Sequence, residues 1–256
     1  MTLPDGEVID AGNVVPVTES EAYFRFEGDN TARKDHLQSI AQAVADKILG
    51  GNGGSTGLLK ALRTATDEGR LAAWSAVPEE QDVLADTPLG HVVAETPGPY
   101  ASVVVNNGGG NKLDYYLGRR LTYVAGDCSA PARQSSVAVD LRNGAPLKPL
   151  PDYVAGRRDQ TPSGPPNSNR LLVSLYGTNG AELTGVTIDG IPTTARIGAE
   201  LGHPVFTVTL LIPPGSTRRL VFDLVEPSTP GQPVVPVQPL AEPVDVTTMV
   251  SDCGQS

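Results

Sequence analysis

Arg25 and Arg33 are the side chains best placed to do chemistry. Arg25 lies in the run Glu21 to Phe26 (EAYFRF), and Arg33 and Lys34 follow Asp29 at the start of a helical pattern that includes Gln38. Arginine suits oxyanions because its planar donors engage two oxygens at once, and a helix start adds unpaired amides and the positive end of a dipole. Arg25 and Arg33 are therefore candidates for a forked anion site. The alternative is that Arg33 and Lys34 belong to the solvated face of an ordinary amphipathic helix.

Other residue types give less. The histidines His36, His91 and His203 are scattered without H-E-x-x-H spacing, and Cys128 and Cys253 lack any C-x-x-C or Cys/His spacing, so no metal site is expected. The two cysteines are free thiols in a cytosolic protein or one disulfide across a long loop in an exported one. The run Asn106 to Asn111 (NNGGGN) sits between two β-like runs without a following Lys-Ser/Thr pair, and reads as a hairpin connection rather than a phosphate cradle. Tyr115 and Tyr116, in LDYYL, would alternate faces on a strand, one ring in the core and one at the surface, a candidate platform for stacking a sugar. No catalytic residue and no cofactor motif is assigned.

These residues need elements to position them. Leu37, Ile40, Ala41, Val44 and Ile48 recur at helical spacing between Thr31 and Gly50, with Asp29 to Thr31 as candidate caps. Ser55 or Thr56 opens a second helix to about Glu68, Arg70 to Ser75 reads as a short strand, and Pro78 to Leu84 as a further helix. Beyond Pro97 the period changes. Short β-rich runs appear at Ala101 to Val105, Leu113 to Leu117, Arg120 to Val124, Ser135 to Leu141, Leu171 to Tyr176, Leu183 to Ile188, Val205 to Ile212, Arg219 to Val225 and Val234 to Val237. Asn143-Gly144, Asn179-Gly180, Asp189-Gly190 and Pro213-Pro214-Gly215 supply turns between them. The expected fold is α+β: an incomplete α/β segment over 1–96, an antiparallel β-sandwich over 97–243, and a loose tail over 244–256. Pro149 to Asn169 is expected to be a polar loop.

Composition closes off some classes. The 256 residues carry a formal charge of −10, and no stretch gathers the basic residues into a stripe, which argues against nucleic acid as a partner. No stretch approaches the ~18 apolar residues of a membrane helix, and 28 Gly with 23 Pro imply many turns.

The order A-Y-F-R-F, then Asp, then Arg and Gln on the next helix, resembles the C-terminal signature of the LytR-CpsA-Psr family. Nearly the whole chain resembles the C-terminal part of an uncharacterised family, a domain of unknown function, in actinobacterial envelope proteins distantly similar to LytR-CpsA-Psr. The segments that carry this likeness include TLPDGEVIDAGNVV, ARKDHLQSIAQAVADKIL, GRLAAWSAVPEEQDVLADTPLG, NKLDYYLGRRLTY, NGAPLKPLPDYVAGR and NRLLVSLYGTNGAELTGVTIDG. LytR-CpsA-Psr proteins transfer glycopolymers from polyprenyl-pyrophosphate carriers to peptidoglycan. The resemblance implies that Arg25 and Arg33 match two of the family's pyrophosphate-holding arginines, while Glu27 and Gly28 stand near where another would be. It further implies an extracytoplasmic envelope location, a membrane anchor upstream of this chain, and a cell-wall glycopolymer or polyprenyl-phosphate lipid as partner. In that compartment Cys128 and Cys253 are expected to pair. The favoured expectation is a non-catalytic accessory module; the alternatives are a portion of a phosphotransferase and a carbohydrate-binding module.

Overall fold

The structure is a computed structural model that describes residues 1–50, 55–93, 96–128, 130–158 and 164–254. It divides into two compact units, Met1–Val92 with Pro151–Val154, and Val93–Leu150 with Ala155–Ser256. The fold is α+β, helices in the first unit and two β-sheets in the second.

In the first unit the chain opens with a tight return. Leu3 N donates to Glu7 O at 2.8 Å, and Ile9 N donates to Met1 O at 2.8 Å. Three short helical pieces, Val14–Pro16, Val17–Glu21 and Ala22–Arg25, lead to the long helix Asn30–Leu49. Asp29 caps that helix, its side chain accepting from the Ala32 amide at 2.9 Å. The face that this helix buries is Arg33, His36 and Ile40, offset from the apolar stripe read in the sequence; Ile48 is 43% exposed. The apolar cluster here is small, built on Leu3, Ile9, Val17 and Ile40. Helices Ser55–Asp67 and Pro78–Ala85 match expectation closely. Arg70 to Ser75 does not: the run is extended but unladdered, with Ala73 N donating to Leu89 O at 2.8 Å and Trp74 standing 77% exposed.

The second unit is a β-sandwich. Its strands are β1 Ala101–Asn107, β2 Leu117–Ala125, β3 Ala132–Asn143, β4 Asn169–Gly177, β5 Glu182–Ile188, β6 Ile191–Pro192, β7 Arg196–Glu200, β8 His203–Ile212, β9 Thr217–Pro227 and β10 Val244–Val250. One sheet runs β1-β4-β8-β7 and the other β10-β2-β3-β9-β5-β6. Inward side chains alternate along the strands, as in Leu171, Val173 and Leu175 of β4 and Val137, Val139 and Leu141 of β3, and all join one buried cluster with Phe206 and Phe222. Asp189 (φ 53) and Gly190 (φ 79) both take the left-handed backbone that the tight β5–β6 turn demands.

Four readings of the sequence are corrected here. Leu113–Tyr116 is a single 3-10 turn and the strand starts only at Leu117. Val234 and Val237 make isolated parallel bridges to Tyr100 and Val103 rather than a strand. Within the polar loop, Asp152–Ala155 forms a helical turn, while residues 159–163 lie outside the described residues. The supposed tail contains β10, which pairs in parallel with β2, so the six-stranded sheet is mixed. Cys253 just beyond β10 is bonded to Cys128, with Cα atoms 5.4 Å apart. Such bonds persist in oxidising compartments outside the cytoplasm. Among the described residues, no helix is long and apolar enough to cross a membrane.

Candidate functional site

Arg25 and Arg33 both lie in the helical unit, and each has a neighbour that the sequence did not announce. Arg25, at the end of its short helix, donates from Nη1 and Nη2 to the two carboxylate oxygens of Glu7 at 2.6 and 2.9 Å. That forked contact holds the Glu7 carboxyl below its usual range and raises the guanidinium. The Arg25 side chain is still 41% exposed. Arg33 is 5% exposed, its guanidinium 3.8 Å from the ring centre of Tyr153 and 4.8 Å from that of Tyr23, and it donates to the Asn30 side chain. The two rings stack at 5.6 Å. Two aromatic faces thus compensate part of the desolvation of this cation, so Arg33 is a packed side chain and not part of a solvated face.

Glu7 also faces His36, whose Nε2 lies 3.6 Å from its Oε2. One ligand atom from each of Asp5, Glu7 and His36 falls within 4.8 Å of the others. No sequence spacing indicated this, because the N-terminal return brings the two carboxylates to a helix far along the chain. Beside the same return, Thr2 to Pro4 and the helix residues Gln38, Gln42 and Asp46 line an open groove of about 640 Å³.

The sandwich has its own buried polar cluster. Tyr123 donates its hydroxyl to Glu226 at 2.7 Å, Thr178 donates to the same carboxylate at 3.0 Å, and Arg133 Nε donates at 3.0 Å. Burial, then the Glu226 charge, pushes the Tyr123 hydroxyl above its ordinary value. Arg133 Nη1 also donates to Ser251 O at 2.9 Å, tying the segment after β10 to this cluster. The groups face one another inside the unit, which is the arrangement of an internal brace.

Other candidates fare differently. Tyr115 and Tyr116 sit edge to face at 4.9 Å with an 86° interplanar angle, not as a flat platform. The run Asn106 to Asn111 is closed by its own side chains, Asn107 Oδ1 accepting from the Gly109 and Gly110 amides at 2.9 and 2.8 Å. The spacing Gly53-x-Ser55-x-Gly57 has the pattern of a nucleophile elbow, but a helix rather than a strand precedes it; Ser55 opens the helix Ser55–Asp67, and residues 51–54 lie outside the described residues.

The sequence matches no family model and no curated protein. Among solved structures, one from Legionella pneumophila described as a nutrient binding protein is similar over 50% of this chain and 43% of its own, at 10% identity and a TM-score of 0.31. An M1 zinc metallopeptidase from Deinococcus radiodurans is similar over 46% of this chain and 22% of its own, at 15% identity and a TM-score of 0.23. This chain therefore spans less than half of either protein.

Proposed function

We propose that this chain is an extracytoplasmic module of the cell envelope that binds or braces rather than catalyses, with a cell-wall glycopolymer as its partner. The observation that carries the reading is the Cys128–Cys253 bond, which closes a separation of 125 residues and fastens the segment following β10 to the sandwich. The groove beside Gln38, Gln42 and Asp46 adds support, since amides and carboxylates are the groups that hydrogen-bond sugar hydroxyls. The test is a pull-down of the whole disulfide-bonded chain on purified peptidoglycan and its attached glycopolymers. Retention that falls in a Gln38→Ala, Gln42→Ala double variant supports the reading; passage of the wild-type chain through every polymer argues against it.

A second reading keeps Arg25 and Arg33 as contacts to a polyprenyl-pyrophosphate, as the family resemblance implies. Its specific support is that Arg25 remains partly exposed while already gripping a carboxylate in the forked manner suited to a phosphate. A soluble pyrophosphate lipid analogue should then bind the wild-type chain at least ~10-fold more tightly than Arg25→Ala, the loss expected for one charge-assisted contact.

A further inference from the structure

Glu7, the carboxylate that Arg25 grips, also belongs to a cluster with Asp5 and His36 whose chemistry is distinct. The return over residues 1–9 sets Asp5 and Glu7 two positions apart on one loop and presents them to one face of the helix Asn30–Leu49. Asp5 Oδ1 accepts from the Glu7 amide at 3.0 Å, which fixes the loop carboxylates relative to each other. His36 is 8% exposed, and its ring packs 5.2 Å from that of Phe26. Its Nε2 is buried without a hydrogen-bond partner. A buried polar atom is ordinarily paired, so a ring nitrogen without a hydrogen bond, 3.6 Å from Glu7 Oε2 and in a side chain clustered with a second carboxylate, marks a place where a cation can serve.

We propose that Asp5, Glu7 and His36 form a binding site for a divalent transition-metal cation of the zinc or manganese class. Three donor atoms within 4.8 Å of one another can share one ion at ordinary ligand distances. One imidazole nitrogen with two carboxylate oxygens suits Zn²⁺ or Mn²⁺, whereas Ca²⁺ and Mg²⁺ favour oxygen alone. Three protein ligands leave the remaining positions to water. Arg25 is the opposing charge: it occupies both Glu7 oxygens at 2.6 and 2.9 Å. Each carboxylate oxygen has a second lone pair, so Glu7 can face the guanidinium and the metal together. The guanidinium charge then lowers the affinity, which makes Arg25 the residue that sets it.

The experiment titrates the full chain with Zn²⁺ and with Mn²⁺ by calorimetry and follows the imidazole nitrogens by NMR during the Zn²⁺ titration. The expected result is one equivalent bound, with the Nε2 signal of His36 shifting while His91 and His203 hold still. His36→Gln and Glu7→Gln should each weaken binding by about tenfold or more, as for loss of a metal ligand or its immediate support, whereas Arg25→Met should tighten it. The tightening separates a metal site from a simple His36–Glu7 ion pair, which Arg25→Met would not turn into a metal binder. Should Glu7→Gln fail to fold, the wild-type NMR titration decides. Binding that is equal in wild type and His36→Gln, metal uptake that leaves the His36 ring unmoved, or no uptake at all would each overturn the proposal.

Discussion

The two units bury charge in opposite ways. In the sandwich, Arg133 and Glu226 lie under a large apolar core and meet each other, with Tyr123 and Thr178 completing the carboxylate's bonds. In the helical unit the apolar cluster is small, and the buried Arg33 and His36 are held against aromatic rings instead, while Leu49 (84%), Trp74 (77%) and Leu59 (64%) face outward. A large core can enclose an ion pair because the surrounding packing supplies the stability that its desolvation costs. Where little apolar surface is buried, the planar heads of polar side chains must themselves serve as packing material. The sandwich thus encloses its ion pair, and the helical unit packs Arg33 against tyrosine rings while leaving Arg25 partly exposed.

The sharpest way to break this contrast is to cut into the sandwich. Phe222 is fully buried, so Phe222→Ala should cost about 3 to 5 kcal/mol in chemical denaturation. Glu226→Gln leaves Arg133 uncompensated and should cost a similar amount, about 3 to 5 kcal/mol by the same measurement. Reducing the disulfide, or Cys253→Ser, should cost about 2 to 5 kcal/mol through the unfolded chain, for a separation of 125 residues. Because Arg133 also holds Ser251, the effects of Glu226→Gln and Cys253→Ser should fail to add.

Much of the sandwich was legible. Strands such as β4 and β9 alternate buried and more exposed side chains, and Gly180, Asp189, Gly190 and Gly215 in the turns take positive φ, so local pattern and global fold agree there. What local pattern could not carry was anything decided at long range. Val244–Val250 is a mostly exposed edge strand whose partner β2 lies far back in the chain, and nothing in VDVTTMV announces parallel pairing. Arg70 to Ser75 has the composition of a strand but no ladder partner among the described residues. At the candidate site the arginines were visible as residue types, whereas Glu7, Tyr153 and the approach of Asp5 to His36 depend on chain returns that no spacing encodes.

Smaller effects sharpen the comparison. Arg33→Ala removes a desolvated cation from two tyrosine faces and should cost about 2 kcal/mol, read as a shift in the denaturation midpoint. At high pH, the Glu200 bond and then burial raise the Tyr176 hydroxyl from 10.0 to about 12. A hydroxyl that stays protonated in the fold contributes stability in full below about pH 10, and that contribution is lost as pH rises through about 12. Tyr176→Phe should therefore flatten the decline in stability over that window, followed by thermal melts. Trp74→Ala, at an exposed position, should change stability by no more than about 0.5 kcal/mol.

The Cys128–Cys253 bond closes the sandwich in the manner suited to an oxidising compartment. Peptide mapping by mass spectrometry, without reductant, of the protein recovered from the outer side of intact cells tests it directly. A Cys128–Cys253 linked peptide is expected in nearly all molecules. Two free thiols on protein recovered from that location, or protein found with both thiols reduced inside the cytoplasm alone, would contradict it.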